Sequence, residues 1–338
     1  MRAKPVAEGV FRRYGRLGAL LCLLLLLPAL LVACGPRAPR ADARPAPQSP
    51  LAESFLPVPA APSGQAAGVF RFIAFGDSGS GAPFQYDLAA EMARKSADPG
   101  FSMVLMLGDN IYERGDVTDL GDKCFRKPYA PLLAKQIPFV VTLGNHDVIG
   151  GFETDQIAYF KMPGEYYRVV PQGVSPERLE IFVINSNNFA RHPNQQAWLK
   201  AALAESKAAW KVVMAHHPLY TSGEHQNDGD LKLLRTVLAP ILSEGGADLY
   251  LAGHDHDYER FEPQGGVTQI VSGGGGAYLR NFKVIQPHSL VRHKAHHFLL
   301  FTLDAAGLHF QTIDKTGAVL DEGDIAPNPG VAKRPAAA

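Results

Sequence analysis

Cysteine is scarce in this chain, and that scarcity decides how the fold must be held. Three cysteines occur in 338 residues. Cys22 and Cys34 lie in an N-terminal apolar stretch, which leaves Cys124 alone in the part that folds. A lone core cysteine excludes a disulfide-stapled domain, so stability must come from packing. Excess charge is missing too: 33 lysines and arginines balance 33 aspartates and glutamates. Without a basic surplus, no nucleic-acid binding is indicated. No internal repeat is visible, and the long apolar run is the one at Leu17–Ala33.

That run follows Arg2, Lys4, Arg12, Arg13 and Arg16. A basic head before a leucine-rich stretch is the pattern of a secretory signal. It closes on Leu31-Val32-Ala33-Cys34-Gly35, which resembles a bacterial lipobox, with Cys34 the residue that takes lipid after cleavage. Residues 1–34 are therefore predicted to be a signal peptide. An uncleaved anchor or an ordinary cleaved signal is the alternative. A diacylated cysteine supplies the two chains that stable anchoring needs. The folded part is then exported and tethered to a membrane in the cell envelope. Residues 35–68, rich in Pro, Ala, Arg and Ser, read as a tether, and 327–338 as a disordered tail. Residues 69–326 remain for one domain.

Within that domain, short runs of Val, Ile, Leu and Phe recur, bounded by Gly, Asp, Asn or Pro. Val69–Phe75, Phe101–Leu107, Pro138–Leu143, Leu179–Ile184, Trp210–Ala215 and Ala247–Ala252 are predicted as buried strands. Helices are expected at Asn194–Ala208, starting at Pro193 or Asn194, and at Asp230–Ser243, with Gly245 as C-cap. Strands alternating with helices argue for an α/β domain with largely parallel pairing. Thr268–Ser272, His297–Leu303 and Leu308–Ile313 are further strands, the last two joined by a turn at Asp304-Ala305-Ala306-Gly307.

Five short motifs carry the chemistry. They are Asp77-Ser78-Gly79, Gly108-Asp109-Asn110-Ile111-Tyr112, Gly144-Asn145-His146-Asp147, Val213-Met214-Ala215-His216 and Gly253-His254-Asp255-His256. Each falls at or just after the end of a predicted strand, where ligands gather in α/β sheets. Their donors sort into two sets. Asp77, Asp109 and Tyr112 offer anionic oxygens and His256 an imidazole; hard oxygens suit a trivalent ion, and a phenolate stabilises Fe(III). Asn145, His216 and His254 give one neutral oxygen and two nitrogens, a set for a divalent ion. Asp109 is suited to bridge the two, holding them about 3.5–4 Å apart as two-metal hydrolytic sites require. Gly253 admits the close backbone approach that His254 and His256 need to address different ions. Singly, each motif has a plainer reading: a turn at Gly-Asp, a loop histidine at His216, a core aromatic at Tyr112. The ordered set of five does not.

That set resembles the metallophosphoesterase superfamily, and within it the small purple, or tartrate-resistant, acid phosphatases. The resemblance runs from about Val69 to Leu279 and includes Tyr112 in GDNIY. Many related phosphodiesterases carry Asp-x-His at the first motif; here Gly79 replaces the histidine and Tyr112 is available in its place, which favours the purple branch. The resemblance implies a four-layer α/β/β/α sandwich of two mixed β-sheets flanked by helices. It implies Fe(III) at Asp77, Asp109, Tyr112 and His256, and a divalent Fe, Zn or Mn at Asp109, Asn145, His216 and His254.

The reaction expected is hydrolysis of phosphate monoesters, from phosphorylated small molecules or phosphoproteins, by a hydroxide bound to the metal pair. His146, beside a ligand, and His225, which resembles the family's second substrate-facing histidine, are the catalytic candidates for binding phosphate or protonating the leaving group. The mammalian relatives' longer loop and its cysteine pair have no counterpart at Asn185–Asn194. His288, His293, His296 and His297 read as a solvated loop leading into a strand. Two rivals stand: a phosphodiesterase or nucleotidase of the same fold with two divalent metals, and a tethered phosphate- or metal-binding lipoprotein without turnover.

Overall fold

In a computed structural model, the structure describes residues 68–330. The predicted signal peptide, Cys34, residues 35–67 of the tether and residues 331–338 lie outside the described residues. The strands are β1 (Phe70–Phe75), β2 (Val104–Met106), β3 (Phe139–Val141), β4 (Tyr167–Val169), β5 (Leu179–Val183), β6 (Trp210–Met214), β7 (Leu249–Ala252), β8 (Tyr258–Phe261), β9 (Thr268–Ser272), β10 (Ser289–His293), β11 (His297–Leu303), β12 (Leu308–Asp314) and β13 (Val319–Asp324). The helices are α1 (Pro83–Lys95), α2 (Val117–Gly121), α3 (Ala130–Ala134), α4 (Asn145–Ile149), α5 (Glu153–Tyr159), α6 (Pro193–Glu205) and α7 (Gly229–Glu244).

The strands form two mixed sheets, ordered β13-β12-β11-β1-β2-β3 and β10-β8-β9-β7-β6-β5-β4. Parallel pairing is narrower than the sequence suggested. It is confined to β1-β2-β3 and β5-β6-β7-β9, while the flanks are antiparallel. Beyond β9 no helix separates the strands, and β11, β12 and β13 follow one another as antiparallel neighbours. At the predicted turn, Asp304 N donates to Gly307 O at 3.0 Å, and Asp304 Oδ1 accepts from the Ala306 and Gly307 amides.

The layering follows from the alternation of side chains along each strand. Ile181, Val183, Val212, Met214, Leu249 and Leu251 point into the core shared with the first sheet. Their neighbours Phe182, Val213, Tyr250 and Ala252 point the other way, onto Leu199 and Leu203 of α6 and Leu234, Leu238 and Ile241 of α7. A strand buried on both faces has no polar alternation to display, which explains the continuous apolar runs. In the first sheet Phe72 lies opposite Phe301 and stacks on it, ring centroids 4.7 Å apart. Helix α1 adds Leu88 and Met92 to the same core, and Cys124 is buried and free.

Pro193, one of the two expected starts, takes the first position of α6, with His192 Nδ1 accepting from the Gln195 amide at 3.1 Å. Gly245 is the C-cap of α7 as expected, in right-handed backbone (φ −76), and the left-handed residue is Gly246 (φ +68). Two other local expectations need correction. The segment assigned to the tail stays attached through Asn328, which is buried and donates to Asp248 Oδ1 (2.7 Å) and Ala247 O (2.9 Å). The histidine-rich stretch leads into a strand as expected, and His288 is exposed in a turn, but the rest is not a solvated loop. His293 closes β10, His296 stacks on Phe84 with centroids 4.5 Å apart, and His297 opens β11 fully buried.

His297 Nδ1 donates to Ala295 O at 2.9 Å, and its Nε2 lies 3.0 Å from Ser272 Oγ, which donates to it. Burial pushes this imidazole down to about 4. An unfolded histidine takes its proton near about 6.5, so between those values the unfolded chain binds more protons and stability falls as pH falls. From pH 6.5 to pH 5 the loss through this one group is about 1.5 kcal/mol. His297→Gln should flatten the decline by that amount in urea unfolding at the two pH values. A slope unchanged by the substitution would contradict a buried neutral imidazole.

Candidate metal centre

The motifs converge because the parallel strands present their carboxyl ends along one edge. Asp77 follows β1, Asp109 follows β2 and Asn145 follows β3; His216 follows β6, and His254 and His256 follow β7. Backbone hydrogen bonds stitch these loops together: Leu107 N to Phe75 O (2.9 Å), Asp77 N to Gly108 O (3.0 Å) and Gly253 N to His216 O (2.9 Å). Gly76 N donates to Ser272 O at 2.7 Å, which joins the first sheet's edge to the second.

Two clusters result. In one, Tyr112 Oη donates to Asp77 Oδ1 at 3.2 Å and lies 3.2 Å from His256 Nε2, with His256 Nε2 3.4 Å from Asp77 Oδ1. His256 Nδ1 donates to Tyr278 O at 2.8 Å, so Nε2 is the nitrogen turned inward. In the other, Asn145 Oδ1 is 3.0 Å from His216 Nε2 and 3.1 Å from His254 Nδ1, and those nitrogens are 3.1 Å apart. His216 Nδ1 donates to Leu107 O at 3.0 Å. That bond fixes the tautomer and leaves Nε2 free to ligate, as outer partners of metal-binding histidines do. Asp109 lies between the clusters: its Oδ1 is 3.5 Å from His216 Nε2, and Asp77, Asp109 and His216 offer ligand atoms all within 4.8 Å of one another.

The donor set fits a pair of cations on three grounds. Asp77 and Asp109 are 0% and 1% exposed, and buried carboxylates require positive partners. For Asp77 burial opposes ionisation, yet His256 and His216 hold its carboxyl below the usual range. Burial and the charges of Asp77 and Asp109 push the Tyr112 phenol well up, so only a strong cation makes a phenolate there. Burial, with the neighbouring histidines, holds His254 well below an ordinary imidazole, which keeps a nitrogen lone pair available.

Backbone strain marks the same residues. Asp77, Asp109 and His254 adopt φ of +58, +52 and +73, a region costly for non-glycine residues and often retained at functional sites. Gly144 and Gly253 permit the approach: a Cβ at either would strike the Asp109 or the Asp77 carboxylate.

Around the donors stand groups the sequence left without roles. Asp147, in the third motif, accepts from the amides of Asn110, Ile111 and Gly144 and from Asn110 Nδ2 and Gln156 Nε2, locking the second and third motifs together. Asp255 accepts from Thr221 Oγ1, the Glu224 amide and His225 Nδ1. His217 offers a ligand atom within 4.8 Å of those of His216 and His254. The second histidine of Ala215-His216-His217-Pro218 was the available signal. The catalytic candidates flank opposite clusters: the His146 ring is 4.7 Å from that of Tyr112, with Nδ1 donating to Glu113 O at 2.7 Å, and the His225 ring is 4.0 Å from that of His254.

Residues 70–258 match the calcineurin-like phosphoesterase family. The chain is similar to tartrate-resistant acid phosphatase type 5 of Rattus norvegicus, 33% identical over 246 residues, which span 62% of this chain and 73% of that protein. Among solved structures, GAP50, the anchor in the inner membrane complex of Plasmodium, aligns with a TM-score of 0.70 at 20% identity, covering 79% of this chain and 92% of that one. Purple acid phosphatase PPD1 from yellow lupin (Lupinus luteus) seeds aligns with a TM-score of 0.68 at 19% identity, covering 80% of this chain and 56% of that one. At these identities the two structures share the fold.

The geometry makes different demands on Asp109 and His146. Metal analysis of the purified protein should find about two ions per chain, and Asp109→Ala should lose most of both. His146→Ala should retain them, because its ring lies outside both clusters. Full metal loss in the His146 variant would place that side chain among the ligands instead.

Proposed function

This chain belongs to the calcineurin-like phosphoesterase family, and we propose that it is an acid phosphatase of the purple type that hydrolyses phosphate monoesters. The observation that carries the reading is the phenol of Tyr112 within 3.2 Å of both Asp77 and His256. A phenol among hard donors favours Fe(III) at that cluster. The neutral oxygen and two imidazoles of the other cluster favour a divalent Fe, Zn or Mn. When bound, such a pair supplies an activated water and neutralises phosphoryl oxygens.

The chain's own residues supply the rest. Asp109 holds the two halves in register, and its Oδ1 is steadied by the His146 amide at 3.0 Å. A backbone carbonyl can only accept, so His146 Nδ1 keeps its proton and Nε2 is the nitrogen free to exchange one with substrate. The buried Asp255 orients His225 through Nδ1 at 2.9 Å. The His146 imidazole can hold phosphate or deliver a proton to the departing oxygen, while His225 Nε2 faces the Arg280 guanidinium at 2.9 Å. The substrates are phosphorylated small molecules or phosphoproteins. They are met outside the cytoplasmic membrane, where a lipidated Cys34 would tether the enzyme to a membrane of the cell envelope.

The iron-loaded protein should be coloured by charge transfer from Tyr112 to Fe(III), and Tyr112→Phe should be colourless with its other ligands intact. It should release phosphate from p-nitrophenyl phosphate at least about tenfold more efficiently, in kcat/KM, than it cleaves bis(p-nitrophenyl) phosphate. A colourless active wild type would argue for two divalent ions. The opposite substrate preference would argue for a phosphodiesterase, and binding without turnover for a tethered binding protein.

A further inference from the structure

One cation beside the centre has no assigned task. Arg280 lies on the segment between β9 and β10, which folds back over the site. Its amide donates to His256 O (3.1 Å), the Lys283 amide to Ser222 O (2.7 Å) and the Gln286 amide to Ser222 Oγ (2.9 Å). The segment is thereby pinned to a metal-cluster loop on one side and to the loop of His225 on the other.

The Arg280 guanidinium reaches inward from this frame. Its Nη1 donates to His225 Nε2 at 2.9 Å, while His225 Nδ1 donates to Asp255. A guanidinium has no lone pair to offer, so Nε2 is the acceptor in this arrangement. The guanidinium brings a fixed positive charge to this corner.

The other guanidinium N–H groups are not committed. Glu224 is 3.8 Å away, beyond a hydrogen bond, and is engaged more closely by Lys283 at 3.1 Å. The side chain is 28% exposed, so it is reachable from solvent. A fixed fork of donors with one arm tied is suited to phosphate, which guanidinium groups bind in bidentate fashion.

We propose that Arg280 binds the substrate phosphate directly and is the specificity determinant that favours the doubly charged monoester over the singly charged diester. This rests on the phosphatase reading for its substrate, but not for its binding chemistry. Inorganic phosphate is therefore the primary probe, measured by calorimetry on the metal-loaded protein, so that binding is read without turnover.

Arg280→Gln should weaken phosphate binding about tenfold or more with metal content unchanged, and Arg280→Lys, which keeps the charge and loses the fork, should fall between. If Arg280 only positioned His225, its loss would cost nothing further in a His225→Asn background; direct contact predicts the same loss there. In turnover, Arg280→Gln should raise KM for p-nitrophenyl phosphate about tenfold and that for bis(p-nitrophenyl) phosphate by less than about threefold. Phosphate affinity within about twofold of wild type in Arg280→Gln, or an effect abolished by His225→Asn, would overturn the inference. A wild type that binds phosphate through Arg280 yet turns over no monoester would leave the inference standing and end the phosphatase reading.

Discussion

Two carboxylates withdrawn from water, Asp77 and Asp109, meet where the carboxyl edges of two sheets abut, and the surrounding chain is built to keep them there. Placing two anions in a protein interior is unfavourable unless cations and oriented donors answer them. Here the answer comes from the His256 and His216 imidazoles, from the His254 amide on Asp77 Oδ2 (2.8 Å) and from the His146 amide on Asp109. The same demand explains the left-handed backbone at three donors and the glycines pressed against the two carboxylates. Removing that demand would leave the strain without a purpose.

The sandwich serves this meeting point. Parallel pairing is kept where strands must deliver loops to a common edge, β1-β2-β3 in one sheet and β5-β6-β7-β9 in the other, and is abandoned elsewhere. Outer groups then fix what the strands deliver. Asp147 ties the second motif to the third, and Asp255 ties the loop of His225 to the fifth. Arg280 and its segment close the far side. Each of these residues touches a donor loop and not a donor atom alone, so their loss would loosen the site before it emptied it.

Much of this was legible in the sequence, for identifiable reasons. Strands buried on both faces announce themselves as apolar runs, and β1, β5, β6, β7 and β9 stand within a residue or two of where those runs put them. The motifs were legible because ligand chemistry uses few residue types. What escaped was what depends on long-range contact. β8, β10 and β13 carry polar residues and owe their form to pairing partners. His297 opens a strand that the sequence predicted, but its buried hydrogen bond depends on Ser272, 25 residues away. Arg280 sits in an unremarked Gly-Ala-Tyr-Leu-Arg run, and nothing local signals that its guanidinium lies against His225, 55 residues earlier.

The central claim is that Asp77, Tyr112 and His256 hold one ion, Asn145, His216 and His254 a second, and Asp109 both. Anomalous diffraction from crystals of the metal-loaded protein tests it most directly. The account predicts two peaks about 3.5–4 Å apart, one in each cluster, with an Asp109 oxygen within bonding distance of each. A single peak, or two peaks that Asp109 does not touch, would contradict it.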